Sequence, residues 1–302
     1  MNAATLIGFT AVLMWSLLAL FTAASGEMPP FQLSAITFAI GSLPGIALFV
    51  ARPERLKALR QPAKVWILGI GGLFGYHFLY FTALRNAPPA DASLIAYLWP
   101  LFIVLGSALL PGETLRWHHV AGAVLGLAGS VLIISRHGLS FDSAYIFGYL
   151  AAFACAFTWS GYSLASRRFG AVPTDAVTAF CMATSVLSLV SHMVLEETVW
   201  PDNGGQWLAV VGLGLMPVGA AFYTWDYGIK RGNIQLLGVS SYAAPLLSVL
   251  ILVASGFAEP SWPIGGAALL ITIGALLAAK DMIFRPRQPA PNPAEPPRMI
   301  QK

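Results

Sequence analysis

Apolar residues fall into ten long runs that are separated by short polar segments. Each run approaches or exceeds the length of about 20 residues that a helix needs to cross the hydrocarbon of a bilayer. Strands with open edges would leave backbone groups unpaired in lipid, so we expect every run to be helical. The runs cover about residues 3–24, 31–51, 64–84, 91–110, 117–135, 144–166, 174–195, 207–228, 234–256 and 262–281. The pattern predicts an all-α polytopic membrane protein with ten transmembrane helices.

The second five runs repeat residues of the first five. Tyr97 and Pro100 recur as Tyr242 and Pro245 at an offset of 145. Further recurrences are Trp15-Ser16 as Trp159-Ser160, Trp117 as Trp262, and Gly129 as Gly274. We therefore predict two five-helix repeats, at residues 1–138 and 143–283. Five spans per repeat insert the second copy from the opposite side, and such inverted repeats are typical of transporters with a site between the halves.

Composition and charge narrow the class of protein. The chain is 57% hydrophobic and 10% charged, whereas soluble domains have about 25% charged residues. The net charge of +4 does not indicate nucleic acid binding, because the basic residues are spread between the apolar runs. Cys155 and Cys181 lack the spacing of a metal or disulfide site. We expect the lipid bilayer and a small solute as partners, and no cofactor, metal or nucleic acid.

The distribution of Lys and Arg predicts the orientation in the membrane. With the N-terminus in the cytoplasm, 15 of the 17 basic residues fall on the inner side and only Arg85 and Arg136 fall outside. This asymmetry agrees with the positive-inside rule and places both termini in the cytoplasm of a bacterial inner-membrane protein. Residues 285–302 contain six prolines, so we expect a disordered cytoplasmic tail.

Two motifs carry a family resemblance. Tyr97-Leu98-Trp99-Pro100-Leu101, followed by Gly112-Glu113-Thr114-Leu115, resembles an EamA-type domain, the repeated unit of the drug/metabolite transporter superfamily. A second copy begins at Tyr242-Ala243-Ala244-Pro245-Leu246, and the match covers the chain except for its tail. Within the superfamily the chain is most similar to the aromatic amino acid exporters of the YddG type. The resemblance implies a ten-helix, alternating-access carrier with a central cavity.

Prolines in mid-helix are the first candidate functional residues. Pro100 and Pro245 each remove a backbone hydrogen bond, which frees the carbonyl four residues earlier, at Ala96 and Ser241. Such carbonyls can accept from a substrate ammonium group. The alternative interpretations are a kink that shapes packing and a hinge for a gate.

Aromatic and ionisable residues within the runs are the other candidates. His77 and Asp226 are functional candidates because ionisable groups are rare within membrane spans, and Tyr80 is a candidate among the aromatic residues. His77 can instead be hydrogen-bonded within the bundle, and Asp226 can pair with Lys230 or form a gate near the cytoplasmic mouth. Ring-bearing residues away from the interfaces suit an apolar or aromatic solute, although each can equally belong to the core.

The predicted substrate site lies near the bilayer midplane, between the halves. Its lining consists of His77, Tyr80, Trp99, Trp159, Trp15 and Tyr242. No Lys or Arg lies in the middle of a run, so a neutral or zwitterionic solute fits better than a phosphorylated one. The substrate carboxylate would then be held by neutral donors such as indole N–H, hydroxyl or His77.

These observations predict a monomeric secondary transporter that exports amino acids, aromatic or large neutral ones, and that is not an enzyme. One alternative is an exporter of another neutral metabolite or a drug. A second is an intramembrane enzyme, for which the only trace is Gly161-Tyr162-Ser163-Leu164-Ala165, one residue short of a serine-nucleophile motif.

Overall fold

The computed structural model describes residues 2–135, 139, 141–256 and 262–281. Within these residues the chain forms ten helices: α1 (Ala3–Ala24), α2 (Pro30–Ala51), α3 (Ala63–Asn86), α4 (Pro89–Leu109), α5 (Trp117–Ile134), α6 (Ser143–Arg168), α7 (Thr174–Leu195), α8 (Gly204–Arg231), α9 (Ile234–Ala254) and α10 (Trp262–Ala278). The first nine are long and apolar enough to cross a membrane, and α10 has 17 residues. The all-helical polytopic prediction is confirmed. The predicted tail at 285–302 lies outside the described residues.

Helices α4 and α9 are each interrupted just before a proline. The first segment of α4 ends at Ala96 and the second begins at Trp99, next to Pro100. In α9 the segments are Ile234–Ser240 and Ala243–Ala254, which contains Pro245. Proline lacks the N–H for the preceding turn and its ring crowds the carbonyl four residues back, which explains both breaks.

Helices α3 and α8 each contain one π-helical turn. The turns are Gly71–Gly75 in α3 and Met216–Ala220 in α8, which are 145 residues apart. Three glycines in the first turn and Pro217 in the second weaken the regular α-helical ladder at these points. Nothing in the hydropathy pattern predicts these turns, because a π-helical turn changes the backbone and leaves the apolar character of the run unchanged.

The most extensive helix contacts recur when the first five helices are exchanged with the last five. Helix α2 packs along α7 and α5 along α10, while the contact of α1 with α8 has its counterpart in that of α6 with α3. The α1–α8 crossing is close at Gly8 and Gly228, where a Cβ on Gly8 would lie 2.9 Å from the Gly228 Cα atom. At the α3–α6 crossing the equivalent residues are the buried Ala83 and Ala152.

The centre of the bundle is a cluster of aromatic rings from both halves. The ring of Trp15 lies 5.1 Å from Trp225, 5.9 Å from Trp159 and 6.1 Å from Trp99, measured between centroids. The T-shaped pairs with Trp159 and Trp99 follow the geometry that the ring quadrupoles favour. This cluster separates two ends of the bundle. We name the end that holds Asn2 the first end and the opposite one the second end.

Candidate functional site

A cavity of about 470 Å³ extends from the aromatic cluster toward the second end. It is built by both halves, because α1, α2, α3 and α4 face α6, α8 and α9 across it. The side chains nearest the second end include Thr22, Met28 and Leu84. None of the described residues that line it is Asp, Glu, Lys or Arg. The volume falls in the range of about 300–1,000 Å³ that small-molecule sites occupy.

Five of the six predicted substrate residues border this cavity. They are Trp15, His77, Tyr80, Trp99 and Trp159. The sixth, Tyr242, lies outside it: the side chain is fully buried, and its hydroxyl accepts the Leu101 N–H at 3.1 Å. This hydrogen bond therefore connects α9 to α4 next to the proline break.

The cavity also includes aromatic residues outside the six predicted ones, among them Tyr76, Tyr97 and Phe222. Tyr76 and Tyr80 lie one helical turn apart on α3 with parallel rings, and Tyr97 and Phe222 face the same space. The spacing of Tyr76 and Tyr80 is visible in the sequence. The assignment of Phe222 to the lining depends on how α8 is rotated, which the sequence does not show.

The carbonyls next to the two prolines differ from the predicted pair of free acceptors. Ala96 borders the cavity. The Ser241 carbonyl accepts the Ala244 N–H at 3.1 Å, and Ser241 is fully buried. Pro100 and Pro245 themselves are buried and do not line the cavity.

Two of the four central tryptophans have an indole N–H without a partner among the described residues. Trp15 donates to the Pro217 carbonyl in the π-helical turn of α8 at 3.1 Å, and Trp225 donates to Ser163 Oγ at 3.1 Å. The N–H groups of Trp99 and Trp159 make no hydrogen bond to a described residue, and neither nitrogen atom is fully buried. Both residues line the cavity, so each half contributes to the lining one tryptophan with an unpaired indole N–H.

His77 is held by the π-helical turn of α3. Its Nδ1 atom lies 2.7 Å from the Leu73 carbonyl oxygen. The imidazole packs edge-on against Phe38 at 5.0 Å and lies 6.1 Å from Phe222, between ring centroids. The turn therefore orients the imidazole in the cavity wall.

At the first end, Asp226 and Lys230 form a buried ion pair on α8. Asp226 Oδ1 lies 2.8 Å from Lys230 Nζ, and both side chains are at most 4% exposed. Thr174 Oγ1 donates to Asp226 at 2.7 Å, and Lys230 donates to the Val172 carbonyl at 3.0 Å. The pair ties α8 to the start of α7.

A second ion pair at the first end connects the two halves. Arg167 of α6 contacts Glu113, which follows α4, and also donates to the carbonyls of Ile229 and Gly232 at 3.0 and 2.8 Å. Gln235 of α9 adds a hydrogen bond to Ser107 at 3.0 Å. The first end is therefore closed by polar contacts between the halves.

At the second end, one carboxylate joins three helices. Glu196, after α7, accepts the backbone N–H groups of Phe31 and Gln32 at the start of α2, each at 3.1 Å. It also lies 2.5 Å from Arg85 of α3 and 3.0 Å from His192. These contacts hold α2, α3 and α7 together beside the cavity mouth.

His118, His119 and Asp281 come together at the first end, with potential metal-ligand atoms within 4.8 Å of one another. Arg116 Nη1 lies 2.9 Å from Asp281 Oδ2, and His119 Nδ1 accepts the Arg116 N–H at 3.2 Å. A cation is thus already present at the carboxylate. The cluster joins α5 to the end of α10, a contact that sequence reasoning did not identify.

Comparison with known proteins identifies the family. The sequence profile of the EamA-like transporter family matches residues 2–135 and 146–280. The chain belongs to the EamA-like transporter family. It is therefore a multi-pass membrane protein of a transporter family.

Individual EamA-like relatives match almost the whole chain. The aromatic amino acid exporter YddG of Ancylobacter novellus is 59% identical over 92% of this chain and 97% of that protein. The aromatic amino acid exporter YddG of Escherichia coli is 27% identical over 91% of this chain and 96% of that protein. A solved crystal structure, 58% identical, superposes with a TM-score of 0.89 and covers 92% of this chain and 96% of that one.

Proposed function

We propose that this protein is a secondary transporter that exports aromatic or large neutral amino acids across the bacterial inner membrane. The observation that carries the proposal is the uncharged aromatic cavity with one free indole N–H from each half, at Trp99 and Trp159. Indole N–H groups are donors only, so they suit a carboxylate. The surrounding rings offer stacking surface for an apolar or aromatic side chain. The names of its relatives support the same class of substrate.

The transport cycle that we propose uses the two repeats as rigid halves. Residues 1–138 and 143–283 would rock about the cavity, which would open alternately to each end. In this structure the cavity extends toward the second end, and the Glu113–Arg167 pair and the Gln235–Ser107 hydrogen bond connect the halves at the first end. One chain provides the whole lining, so the working unit in this proposal is a monomer.

The positive-inside asymmetry supports an orientation with the first end in the cytoplasm. The basic residues Arg52, Lys57 and Arg60 are exposed between α2 and α3 at this end. The described conformation would then face the exterior, the side on which an exporter releases its substrate. Asp226 would be a gate residue on the cytoplasmic side of the cavity.

Counterflow into proteoliposomes tests the substrate class. Vesicles with purified protein are loaded with unlabelled L-phenylalanine, and the entry of labelled L-phenylalanine is measured against competing solutes. We expect competition by L-tryptophan and L-leucine but not by L-lysine or L-glutamate, because the cavity has no charged residue to neutralise a charged side chain. Counterflow that only a non-amino-acid metabolite or a drug supports would contradict the proposal and favour the alternative.

A further inference from the structure

We propose that His77 is the acceptor for the substrate's ammonium group, through its Nε2 atom. This inference rests on the proposed function, because it assumes an α-amino acid in the cavity. It assigns the opposite role to that expected from the sequence, where His77 was a possible donor to the carboxylate.

The hydrogen bond in the π-helical turn determines which imidazole nitrogen carries the proton. The Leu73 carbonyl oxygen can only accept, so Nδ1 at 2.7 Å must donate and must carry a hydrogen. In a neutral imidazole the other nitrogen is then an acceptor. Nε2 therefore offers a lone pair.

The surroundings of His77 favour the neutral ring. Its neighbours are the rings of Phe38, Tyr76, Phe81 and Phe222. None of the ion pairs among the described residues includes His77. An isolated charge at this depth would be costly, whereas a neutral ring with one satisfied N–H is not.

Nε2 is positioned to meet a ligand. His77 borders the cavity, and Nε2 has no hydrogen-bond partner among the described residues and is not sealed in the interior. An unprotonated ring nitrogen in this position can accept a charge-assisted hydrogen bond from an ammonium group.

One ring, that of Tyr76, contacts both the acceptor residue and Trp159, which carries one of the two unpaired indole N–H groups. Tyr76 lies 5.2 Å from the His77 ring and 5.5 Å from the Trp159 ring, between centroids. An α-amino acid carries its ammonium and carboxylate on one carbon, so it can use both groups from one position. The residue equivalent to His77 in α8 is Phe222, which has no polar atom. The acceptor is therefore present in one half only, and we infer that the substrate binds in a single orientation.

Ligands that lack one charged group distinguish an acceptor from a donor. L-Phenylalanine, 2-phenylethylamine (ammonium only) and 3-phenylpropionate (carboxylate only) are titrated onto purified wild-type protein and His77→Phe. We expect the variant to bind the first two about tenfold more weakly or worse, as for loss of one hydrogen bond to a charged group. Binding of 3-phenylpropionate should be unchanged.

Two conservative variants separate the Nε2 position from the fold. The amide of Gln reaches the place of Nε2, so His77→Gln should recover part of the L-phenylalanine affinity. The amide of Asn reaches only the place of Nδ1, so His77→Asn should not. Phe222→Leu serves as the matched control in the other half, and it should weaken binding of all three ligands by a similar factor.

The tautomer can be measured without any ligand. Nitrogen-15 NMR of histidine-labelled protein, with His77→Phe used to assign the signal, should show Nδ1 protonated and Nε2 unprotonated. A proton on Nε2, or weaker binding of 3-phenylpropionate with 2-phenylethylamine unaffected, would overturn the inference. Failure of the wild type to bind any of the three ligands would overturn the proposed function and this inference with it. Wild-type binding of L-phenylalanine that His77→Phe leaves unchanged would overturn the inference alone.

Discussion

Helices α3 and α8 occupy equivalent places in the two halves but carry different chemistry. Both have a π-helical turn at the same point of the repeat. After that turn, α3 has His77, Phe81 and Arg85, whereas the matching positions of α8 are Phe222, Asp226 and Lys230. His77 of α3 lies in the cavity wall, whereas Asp226 and Lys230 of α8 lie at the closed first end.

This difference shows how a symmetric backbone can produce an asymmetric transporter. The most extensive helix contacts occur in equivalent pairs, so the repeated backbone provides similar positions at both ends. The side chains make the two ends different. Phe81 lines the cavity, whereas its equivalent Asp226 forms a buried ion pair at the first end. The side chains of the equivalent basic residues Arg85 and Lys230 are 40% and 4% exposed. Pairs of equivalent residues therefore provide matched experiments.

The largest contrast should be in access to the two ends. Thr22 of α1 borders the cavity, whereas its equivalent in α6, Ser166, is buried at the first end. We expect a membrane-impermeant maleimide to label Thr22→Cys from the exterior and to leave Ser166→Cys unlabelled. The native Cys155 and Cys181 are fully buried and should not react. Labelling of Ser166→Cys alone would reverse the comparison of the two ends, and labelling of Thr22→Cys only in inverted vesicles would reverse the orientation.

Removal of the equivalent basic residues should affect stability very differently. Lys230→Met removes the cation beside the buried Asp226, which then keeps Thr174 as its one hydrogen-bond donor among the described residues, and this should cost about 3–5 kcal/mol of unfolding free energy. Arg85→Met should cost about 1 kcal/mol or less, because the Arg85 side chain is 40% exposed and Glu196 retains two backbone N–H donors and His192. Unfolding in mixed micelles measures both, and equal losses would contradict the distinction.

The helix crossings offer a smaller contrast. Gly228→Ala would place a Cβ against the Gly8 backbone, and we expect a loss of about 1–3 kcal/mol from overpacking. Ala83→Gly at the equivalent crossing should cost about 1 kcal/mol, from helix propensity and a lost methyl group. The same unfolding measurement applies. A stabilising Gly228→Ala would mean that α1 and α8 can separate at no cost.

The substrate site offers a contrast in affinity, with the fold left intact. Trp99→Phe and Trp159→Phe keep a ring but remove the unpaired N–H, so each should weaken L-phenylalanine binding by about 1.5–3 kcal/mol if that N–H meets the carboxylate. Replacement by Ala adds about 0.5–1.5 kcal/mol per lost ring pair. Trp225→Phe is the control, because its N–H is used by Ser163 away from the cavity. Export should fall in the first two variants with membrane insertion intact.

Comparison of Trp99→Phe with Trp159→Phe identifies which residue donates to the carboxylate. If only one of Trp99 and Trp159 responds when replaced by Phe, that residue is the carboxylate donor and the other ring provides stacking surface. If neither responds to Phe, the carboxylate is held by other donors; if replacement of both by Ala also has no effect, the rings pack the core and the proposed site is elsewhere. Counterflow and binding on the same preparations would separate loss of affinity from loss of turnover.

Part of this protein followed from the sequence alone. Ten helices could be predicted because transfer of a run of side chains into lipid is a local property of that run. The breaks near Pro100 and Pro245 and the Asp226–Lys230 pair are also local, since they depend on residues within one or two turns of a helix. The aromatic residues of the cavity could be proposed because polar-tipped rings at mid-span are conspicuous.

Other features were decided only by the tertiary structure. Tyr242 and Trp99 are both mid-span aromatic residues, yet the first binds the Leu101 backbone and the second faces the cavity. Which one lines the site depends on the rotation of α9 and α4, and rotation is set by contacts between helices distant in sequence. A closed first end likewise needs partners such as Glu113 and Arg167, which are brought together only when the two halves pack.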